Sequence, residues 1–439
     1  MSVSYKFTET VLMQDRNYIF CPLIGRNVRT SLEEWNLYAA RKEFREREID
    51  LLKMISEDKI TAITGMRGSG KSSLLMMLLQ RLLKMGERAA YVNLEDIRMR
   101  GSKTALDDVV KWFGYSGYLL LDEITEAHGW ESWLLRTHEL LRGKLFMVVT
   151  SSRSMAPYER LRGRMLVREM YPLSFREFLK FKGLEADYNS GTGRLERALE
   201  EYLLYGGLPE VVLSEESMDK VRILSSYFDR IVSEVAGAAG EDAALTQMFS
   251  KYVVENPRFT ASKCHDFLKD LGFRVGKDTV LKLERASQES YLFFFIPIFS
   301  RSIKDGLKYP RKAYLGDTGF MYAASGSVDM GRLFENAVLL ELKRRRPYLS
   351  IGYWRNREGL EVDFLLLDES GVERMIQVSY GILRAEKREI KELVSCSEEM
   401  GVKEGVIITR GEEGVRNVDG VEIKLIPLWK WLIESPSEY

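Results

Sequence analysis

The sequence predicts an α/β protein built round a parallel sheet, and three observations carry that prediction. Between residues 58 and 152, short apolar runs (KITAIT, RAAYVN, GYLLLDE, KLFMVVTSS) alternate with helical stretches. Their apolar character is continuous rather than alternating, as expected of strands covered by helices on both faces. The first run leads straight into Gly65-Met-Arg-Gly-Ser-Gly-Lys-Ser72, a glycine-rich loop opening a long apolar helix that stops at Gly86.

Bulk properties bound the rest. A chain of 439 residues and 50.7 kDa exceeds what one hydrophobic core organises, so several domains are expected. With 45% hydrophobic and 30% charged residues, the chain should fold as an ordinary globular protein. Lys plus Arg and Asp plus Glu balance at 65 each, which removes any overall pull toward nucleic acid or anionic membrane. Cys21, Cys264 and Cys396 lie far apart and read as buried free thiols. His128, His138 and His265 form no ligand-spaced set. The N-terminal stretch lacks a basic start followed by a long apolar run, and no window reaches the ~20 apolar residues of a membrane span. A soluble, cytoplasmic protein with no membrane partner is expected.

In chain order, residues 1–57 read as an N-terminal segment with a charged leading helix over 31–58. Residues 58–185 read as a P-loop ATPase core of the AAA type. Residues 186–240 are mainly helical around the break YGGLPE and fit a helical lid. Residues 241–312 show helix, helix, a turn at Gly272 to Gly276, a third helix capped by Asp278, the strand YLFFFIPIFS and a basic loop. That is a winged-helix pattern. Residues 313–439 form a further α/β unit, with a helix GRLFENAVLLELKRRR, strands YWRNR, LEVDFLLL and RMIQVSY, a helix over 384–400 and a final strand GVIITR.

The loop suits a nucleotide phosphate. Gly65, Gly68 and Gly70 let backbone amides curl round phosphate oxygens at a helix N-terminus, with Arg67, Ser69 and Ser73 as further nucleotide-binding positions, Lys71 neutralises the β and γ oxygens, and Ser72 can ligate magnesium. YLLLDE delivers Asp122 and Glu123 to the C-terminal edge of a strand, where open α/β sheets hold ligands. Asp122 is the expected magnesium partner of Ser72. Glu123 is the candidate base for the attacking water, which points to hydrolysis rather than binding alone. Thr150, Ser151 and Ser152 end the next strand at the same edge, with Ser151 taken as the nucleotide contact. Among Arg153, Arg162 and Arg164, Arg164 is taken as an arginine finger acting within the subunit or on a neighbouring one.

With these motifs in place, the chain resembles the archaeal and bacterial AAA-superfamily ATPases that carry a C-terminal domain of unknown function with a restriction-endonuclease-like core. The resemblance rests on GMRGSGKSSLL, YLLLDEI, VVTSSRS, LRGRMLVREMYPLSFREF, YGGLPEVV, YLGDTGF, GRLFENAVLLEL, GLEVDFLLL, MIQVSY and IPLWKWL. It implies ATP and magnesium at the residues above. It also implies a nuclease-type constellation in which Glu335 and Asp363 match, while Gln377 and Ser379 stand where an acid and a lysine are needed. A non-catalytic C-terminal core follows unless a lysine or arginine has migrated in, Arg355 and Lys387 being examples.

The leading expectation is a magnesium-dependent ATPase coupling nucleotide state to a C-terminal recognition module, with a protein or DNA partner and the capacity to form homo-oligomers. Two rivals remain: a nucleotide-gated switch that binds a protein, and a nucleic-acid-acting ATPase or nuclease. The second rival draws on the basic residues Arg301, Lys304, Lys308, Arg311 and Lys312, which would let the winged helix contact DNA, and on Arg344, Arg345 and Arg346.

Overall fold

The structure, a computed structural model, describes residues 25–156, 158–185, 192–299, 309–381 and 385–434. Two compact units divide the chain. The first holds the described residues up to Gly65 together with Gly70–Met170, and the second holds Met66–Ser69 and the described residues from Tyr171 onward.

In the first unit, β1 (Ile60–Thr64), β2 (Ala89–Asn93), β3 (Gly117–Asp122), β4 (Leu145–Ser151) and β5 (Met165–Glu169) form a parallel sheet in the order β2-β3-β4-β1-β5. Side chains alternate across a strand, so each continuous apolar run feeds two cores. Ile60, Ala62, Leu119, Leu121 and Val149 pack with Val109, Phe113 and Leu134 on one face. Ile63, Leu120 and Val148 pack with Leu74, Leu75, Leu78 and Leu79 of helix Lys71–Lys84 on the other. Register keeps the strand ends level: Thr64 pairs with Ser151 and Asn93 with Asp122. Every chain exit from β1, β3 and β4 therefore meets at one edge.

The leading helix is shorter than expected and placed earlier, spanning Arg26–Arg41 rather than 31–58. Residues 42–48, KEFRERE, carry a single apolar side chain and give a helix no stripe to bury, so the chain turns extended at Lys42. Ile49, Leu51, Leu52 and Ile55 still pack against the core, but from turns.

The second unit begins with helix Phe175–Phe181, held by a capping box between Ser174 and Glu177. Helices Thr192–Tyr205, Pro209–Leu213 and Ser217–Ala239 follow. Next come helix Ala243–Glu255, β6 (Arg258–Phe259), helices Ala261–Asp270 and Lys277–Glu289, β7 (Phe293–Ile296) and β8 (Arg311–Leu315), the strands forming an antiparallel sheet in the order β6-β8-β7. Gly276, not Asp278, is the N-cap of Lys277–Glu289. Asp278 lies two positions past the cap, within the first turn, where its charge meets the helix dipole. Helix Met330–Arg345 leads into a six-stranded mixed sheet, β13-β14-β12-β11-β10-β9, of β9 (Ser350–Arg355), β10 (Glu361–Asp368), β11 (Gly371–Ser379), β12 (Glu404–Thr409), β13 (Gly414–Val418) and β14 (Val421–Pro427). GVIITR is thus not the last strand. β13 and β14 form a hairpin turning at Asp419-Gly420, both at positive φ, a strong hairpin signal in the sequence.

One core runs through this unit, joining Phe228, Phe249, Phe320, Leu339 and Trp431. The expected seam between residues 312 and 313 falls inside β8. Two of the quoted motifs also meet. Asp317 of YLGDTGF accepts from Gly207 N at 2.8 Å and from Gly319 N at 2.9 Å. A Cβ on Gly206 would lie 1.6 Å from Asp317 Oδ1, and Gly206 sits at φ +76°, so YGGLPE needs glycine there for both reasons.

Candidate functional site

The sheet order explains how the candidate site assembles. The phosphate-type loop leaves β1, the two acids leave β3, and β4 lies between these strands, so its end bridges them. Gly65 leaves β1 beneath Met170, whose carbonyl oxygen would lie 2.1 Å from any Cβ there. Gly70 (φ +99°) then caps helix Lys71–Lys84, which aims the helix N-terminus at the loop. Lys71 is buried, and its Nζ donates to Gly65 O at 2.8 Å and Ser152 Oγ at 3.0 Å. Glu123 Oε1 lies 3.6 Å from the same ammonium.

Asp122 is held from three sides. Tyr91 OH donates to Oδ2 at 2.7 Å, Thr150 Oγ1 donates to Oδ1 at 2.5 Å, and the Ser72 hydroxyl donates to the same carboxylate. Burial, followed by the neighbouring Glu123 charge, pushes the Asp122 carboxyl above its ordinary range. A magnesium ion fits this donor set, because a hydroxyl and a buried carboxylate are hard oxygen ligands and a dication relieves the cost of burying the acid.

Glu123 sits in the left-handed region at φ 52°, a conformation that costs a non-glycine residue and concentrates at working sites. Its N–H donates to Thr150 Oγ1 at 2.8 Å. Both carboxylate oxygens are engaged by Ser152, from the backbone N at 2.8 Å and from Oγ at 2.5 Å. Ser152, rather than Ser151, is the strand-end residue that touches the lysine and the acid. The Ser151 hydroxyl instead accepts from Arg153 N at 3.0 Å, and its carbonyl accepts from Gly65 N at 3.2 Å.

Arg164 is far from this edge within its own subunit. Its carbonyl pairs with Ile60 N at the opposite end of β1, about 16 Å away at ~3.3 Å per residue. Its Nε donates to Glu139 Oε1 at 3.1 Å. A finger acting within the subunit is excluded by that placement. Arg67 lies in the second unit, where Nε donates to Glu234 Oε1 of helix Ser217–Ala239 at 2.5 Å. A Cβ on Gly68 would come 2.8 Å from the Tyr227 ring of the same helix. Ser69 is buried, and Ser73, half-buried, lies on the first turn of helix Lys71–Lys84.

A second constellation forms around the nuclease-type positions. Glu335 and Asp363 do converge, and Gln377 joins them: its Oε1 accepts from Asp363 N at 3.0 Å while Nε2 donates to Glu392 Oε2 at 3.0 Å. Ser379 bonds to the buried Glu389 carboxyl, whose pKa burial raises. The lysine of the cluster is Lys312. Arg355 and Lys387 are exposed. From β8, Lys312 Nζ reaches Asp363 Oδ1 at 2.6 Å, Glu335 Oε1 at 2.8 Å and Glu361 Oε1 at 2.9 Å, and Tyr314 OH donates to Glu335. Burial alone would lower the Lys312 pKa, but Asp363 and Glu335 outweigh it and hold the ammonium well above its usual value. Burial and Glu335 push the Asp363 carboxyl up to about 7 against the opposing pull of Lys312. A cavity of about 140 Å³ adjoins the cluster, with Arg258, Arg332 and Asn336 in its wall.

The basic stretches read as a nucleic-acid surface are largely consumed internally. Arg311 pairs with Glu284 and Lys312 with three acids. Arg344 donates to Glu341 and Pro172 O, Arg345 donates to Glu341 and Trp431 O, and Arg346 lies 3.8 Å from Glu373. Arg301, Lys304 and Lys308 lie outside the described residues, as does Cys21. Cys264 and Cys396 are buried free thiols, each pushed up to about 12 by burial. No described helix is long and apolar enough to cross a membrane.

A glycine loop after β1, paired acids after β3 and a polar β4 end between them define a P-loop nucleotide-binding domain. A family described as an AAA domain matches residues 57–179, and two domain families of unknown function match residues 196–330 and 330–431. Residues 57–179 thus make an AAA-type, ATPase-like domain. An uncharacterised protein of Methanocaldococcus jannaschii is 29% identical over 424 residues, 90% of this chain and 93% of its own length. One of Haemophilus influenzae is 26% identical over 397 residues, 86% of this chain and 96% of its own. Among solved structures, the Walker-type ATPase of Pyrococcus abyssi aligns over 65% of this chain and 99% of its own, at 13% identity and a TM-score of 0.41.

Proposed function

We propose that this chain is a magnesium-dependent ATPase whose nucleotide state is relayed to a recognition module in the second unit. The observation that carries the reading is the buried Lys71–Ser152–Glu123 contact at the phosphate-loop edge, beside an Asp122 already held by Ser72. The loop amides of Gly65 to Gly70 and the Lys71 ammonium bind and orient the phosphates. Ser72 and Asp122 would hold a magnesium ion, which would supply positive charge at the phosphate oxygens. Glu123 aligns water and takes its proton as the oxygen attacks the terminal phosphorus. Ser152 holds both oxygens of Glu123, so hydrolysis requires that clasp to loosen. Tyr91 and Thr150 fix Asp122 and keep its orientation during that change.

Relay to the second unit is supported by Arg67 and Gly68, which belong to the phosphate loop in sequence yet pack on helix Ser217–Ala239. A shift of loop backbone on binding phosphate would be felt at Glu234 and Tyr227. The partner we favour is a protein, because Arg311, Lys312, Arg344 and Arg345 of the two basic runs are spent on internal acids. The restriction-endonuclease-like core would then serve recognition rather than cleavage.

Calorimetry and phosphate release test the reading. Lys71→Ala should lose at least tenfold in ATP affinity. Glu123→Gln should bind ATP within about threefold of wild type and lose 10²-fold or more in turnover, in line with removing a general base. Equal ATP affinity for wild type and Lys71→Ala would remove the loop from the site.

A further inference from the structure

A groove of about 300 Å³ opens in the second unit, between helices Thr192–Tyr205 and Met330–Arg345 and over the ends of two neighbouring strands. β11 and β12 run parallel with Ser379 beside Thr409, so the residues that follow them, Tyr380-Gly381 and Arg410-Gly411-Glu412, leave the sheet together and form the third wall. Two layers line the groove. Leu199, Leu203, Phe334 and Tyr380 make an apolar floor, with the two rings edge to face at 4.8 Å. Glu196, Glu200 and Glu412 make an acidic rim. Glu196, Leu199, Glu200 and Leu203 follow the i, i+3, i+4, i+7 spacing of a single helix face, so rim and floor look the same way.

Two glutamates one turn apart on a helix repel each other, and the lining does not offset them in full. The Arg410 guanidinium lies over the Tyr380 ring and 3.8 Å from Glu200, beyond hydrogen-bond reach, so three carboxylates face one cation. Among the described residues, no ion pair or hydrogen bond engages the Glu196 or Glu412 carboxylate. The surplus is felt behind the wall. Burial, and with it the charges of Glu392 and Glu412, push up the carboxyl of Glu389 against Ser379 and Arg388, and its Oε2 is buried without a hydrogen-bond partner. Building on the reading that the second unit recognises a protein, we propose that this groove is the recognition site, and that it takes a partner segment bearing a lysine or arginine beside an apolar side chain. The lining makes that choice. A long cationic side chain lays its methylenes on the floor and its charge among the rim acids. An acidic peptide or a nucleic acid would meet a wall of its own sign, and a purely apolar segment would leave the acids uncompensated.

The test selects displayed random short peptides on the full wild-type chain. The enriched sequences are then synthesised with a fluorophore and titrated by polarisation against wild type and against Glu196→Gln/Glu200→Gln/Glu412→Gln. Enriched peptides should carry Lys or Arg next to Leu, Met or an aromatic residue, and should bind the triple variant about tenfold more weakly. Exchanging that Lys or Arg for Gln should cost the same factor against wild type and almost nothing against the variant, the pattern of a direct pair. ATP turnover, read in parallel, should not differ between the two chains. If the triple variant is not recovered folded, Glu196→Gln/Glu200→Gln, both at exposed positions of one helix, replaces it, with a loss of about threefold or more. Peptides that bind wild type and variant equally would place protein recognition elsewhere and overturn this site alone. Enrichment of acidic sequences would overturn it too. No enrichment at all, in a chain that still hydrolyses ATP, would overturn the site together with the choice of a protein as partner.

Discussion

Replacing Asp317 with asparagine isolates one buried charge. Its carboxylate is fully enclosed and accepts from Gly207 N and Gly319 N. Burial drives its pKa up to about 6 from an ordinary 3.8, opposed by those two backbone donors and, more distantly, by Arg344. The folded chain therefore keeps a proton that the unfolded chain has released across the window from about pH 4 to pH 6. Stability from this group is present in full below pH 4 and is lost as pH rises through 6. At ~1.36 kcal/mol per pH unit, the gap between 3.8 and about 6 is worth about 3 kcal/mol. Asparagine imitates the neutral acid and does not titrate. The unfolding free energy of Asp317→Asn, relative to wild type, should rise by about 3 kcal/mol between pH 4 and pH 7, whatever constant offset the amide introduces. Urea unfolding of the transition that carries the second unit, measured at each pH for both proteins, gives that difference directly. Parallel stability curves would show that Asp317 ionises in the fold as easily as in the open chain, and the reasoning would fail.

Two further predictions rest on local geometry. Gly206→Ala should cost about 2–5 kcal/mol, because a methyl group would meet the Asp317 carboxylate and the residue stands at positive φ. Gly237→Ala, in helix Ser217–Ala239 with open space around it, should instead stabilise by about 0.5–1 kcal/mol, and thermal unfolding of the pair tests both signs. Arg164, at the edge of its own sheet opposite the phosphate loop, can serve hydrolysis only by reaching a neighbouring subunit. ATP should then promote self-association, and mixtures of Arg164→Ala with Glu123→Gln chains should regain activity that neither has alone. Light scattering that shows a monomer with concentration-independent turnover would exclude that role.

Much of the first unit was legible because its signals are local. The glycine loop, the paired acids and the apolar strand runs each lie within a few residues, and the parallel sheet follows from their alternation with helices. What failed there was a matter of placement between strands. Ser151 and Ser152 are adjacent in sequence, and only the position of β4 between β1 and β3 brings Ser152 to Lys71 and Glu123. Arg164 looked close to the site because it follows β4 in the chain, yet β5 starts at the far edge of the sheet. The composition of the charged leading segment suggests one long helix, whereas a helix in a protein lasts only as long as it has a face to bury. The Asp419-Gly420 hairpin, by contrast, carries in two adjacent residues a signal strong enough to place β13 and β14.

The acid cluster shows why a basic residue in a sequence says little about partners until its counter-charge is known. Lys312 falls in a run of cations that, taken along the chain, suggests a surface for phosphates. Its acids are 23, 49 and 51 residues further on, at Glu335, Glu361 and Asp363, and no periodicity links them. The same holds for Arg344 and Arg345, whose shared partner Glu341 lies one turn back on a helix that is buried almost all round. A cation attracts a distant polyanion only through charge that its own fold leaves uncompensated. In Lys312 that charge is offset three times over at under 3 Å. Gln377 belongs to the same arrangement. A glutamate at that position would add a fourth acid beside Asp363, which one ammonium cannot balance, whereas the amide donates to Glu392 and accepts from Asp363 N. The amide at 377 and the lysine at 312 thus suit each other, because the single ammonium already faces three acids and the amide adds none.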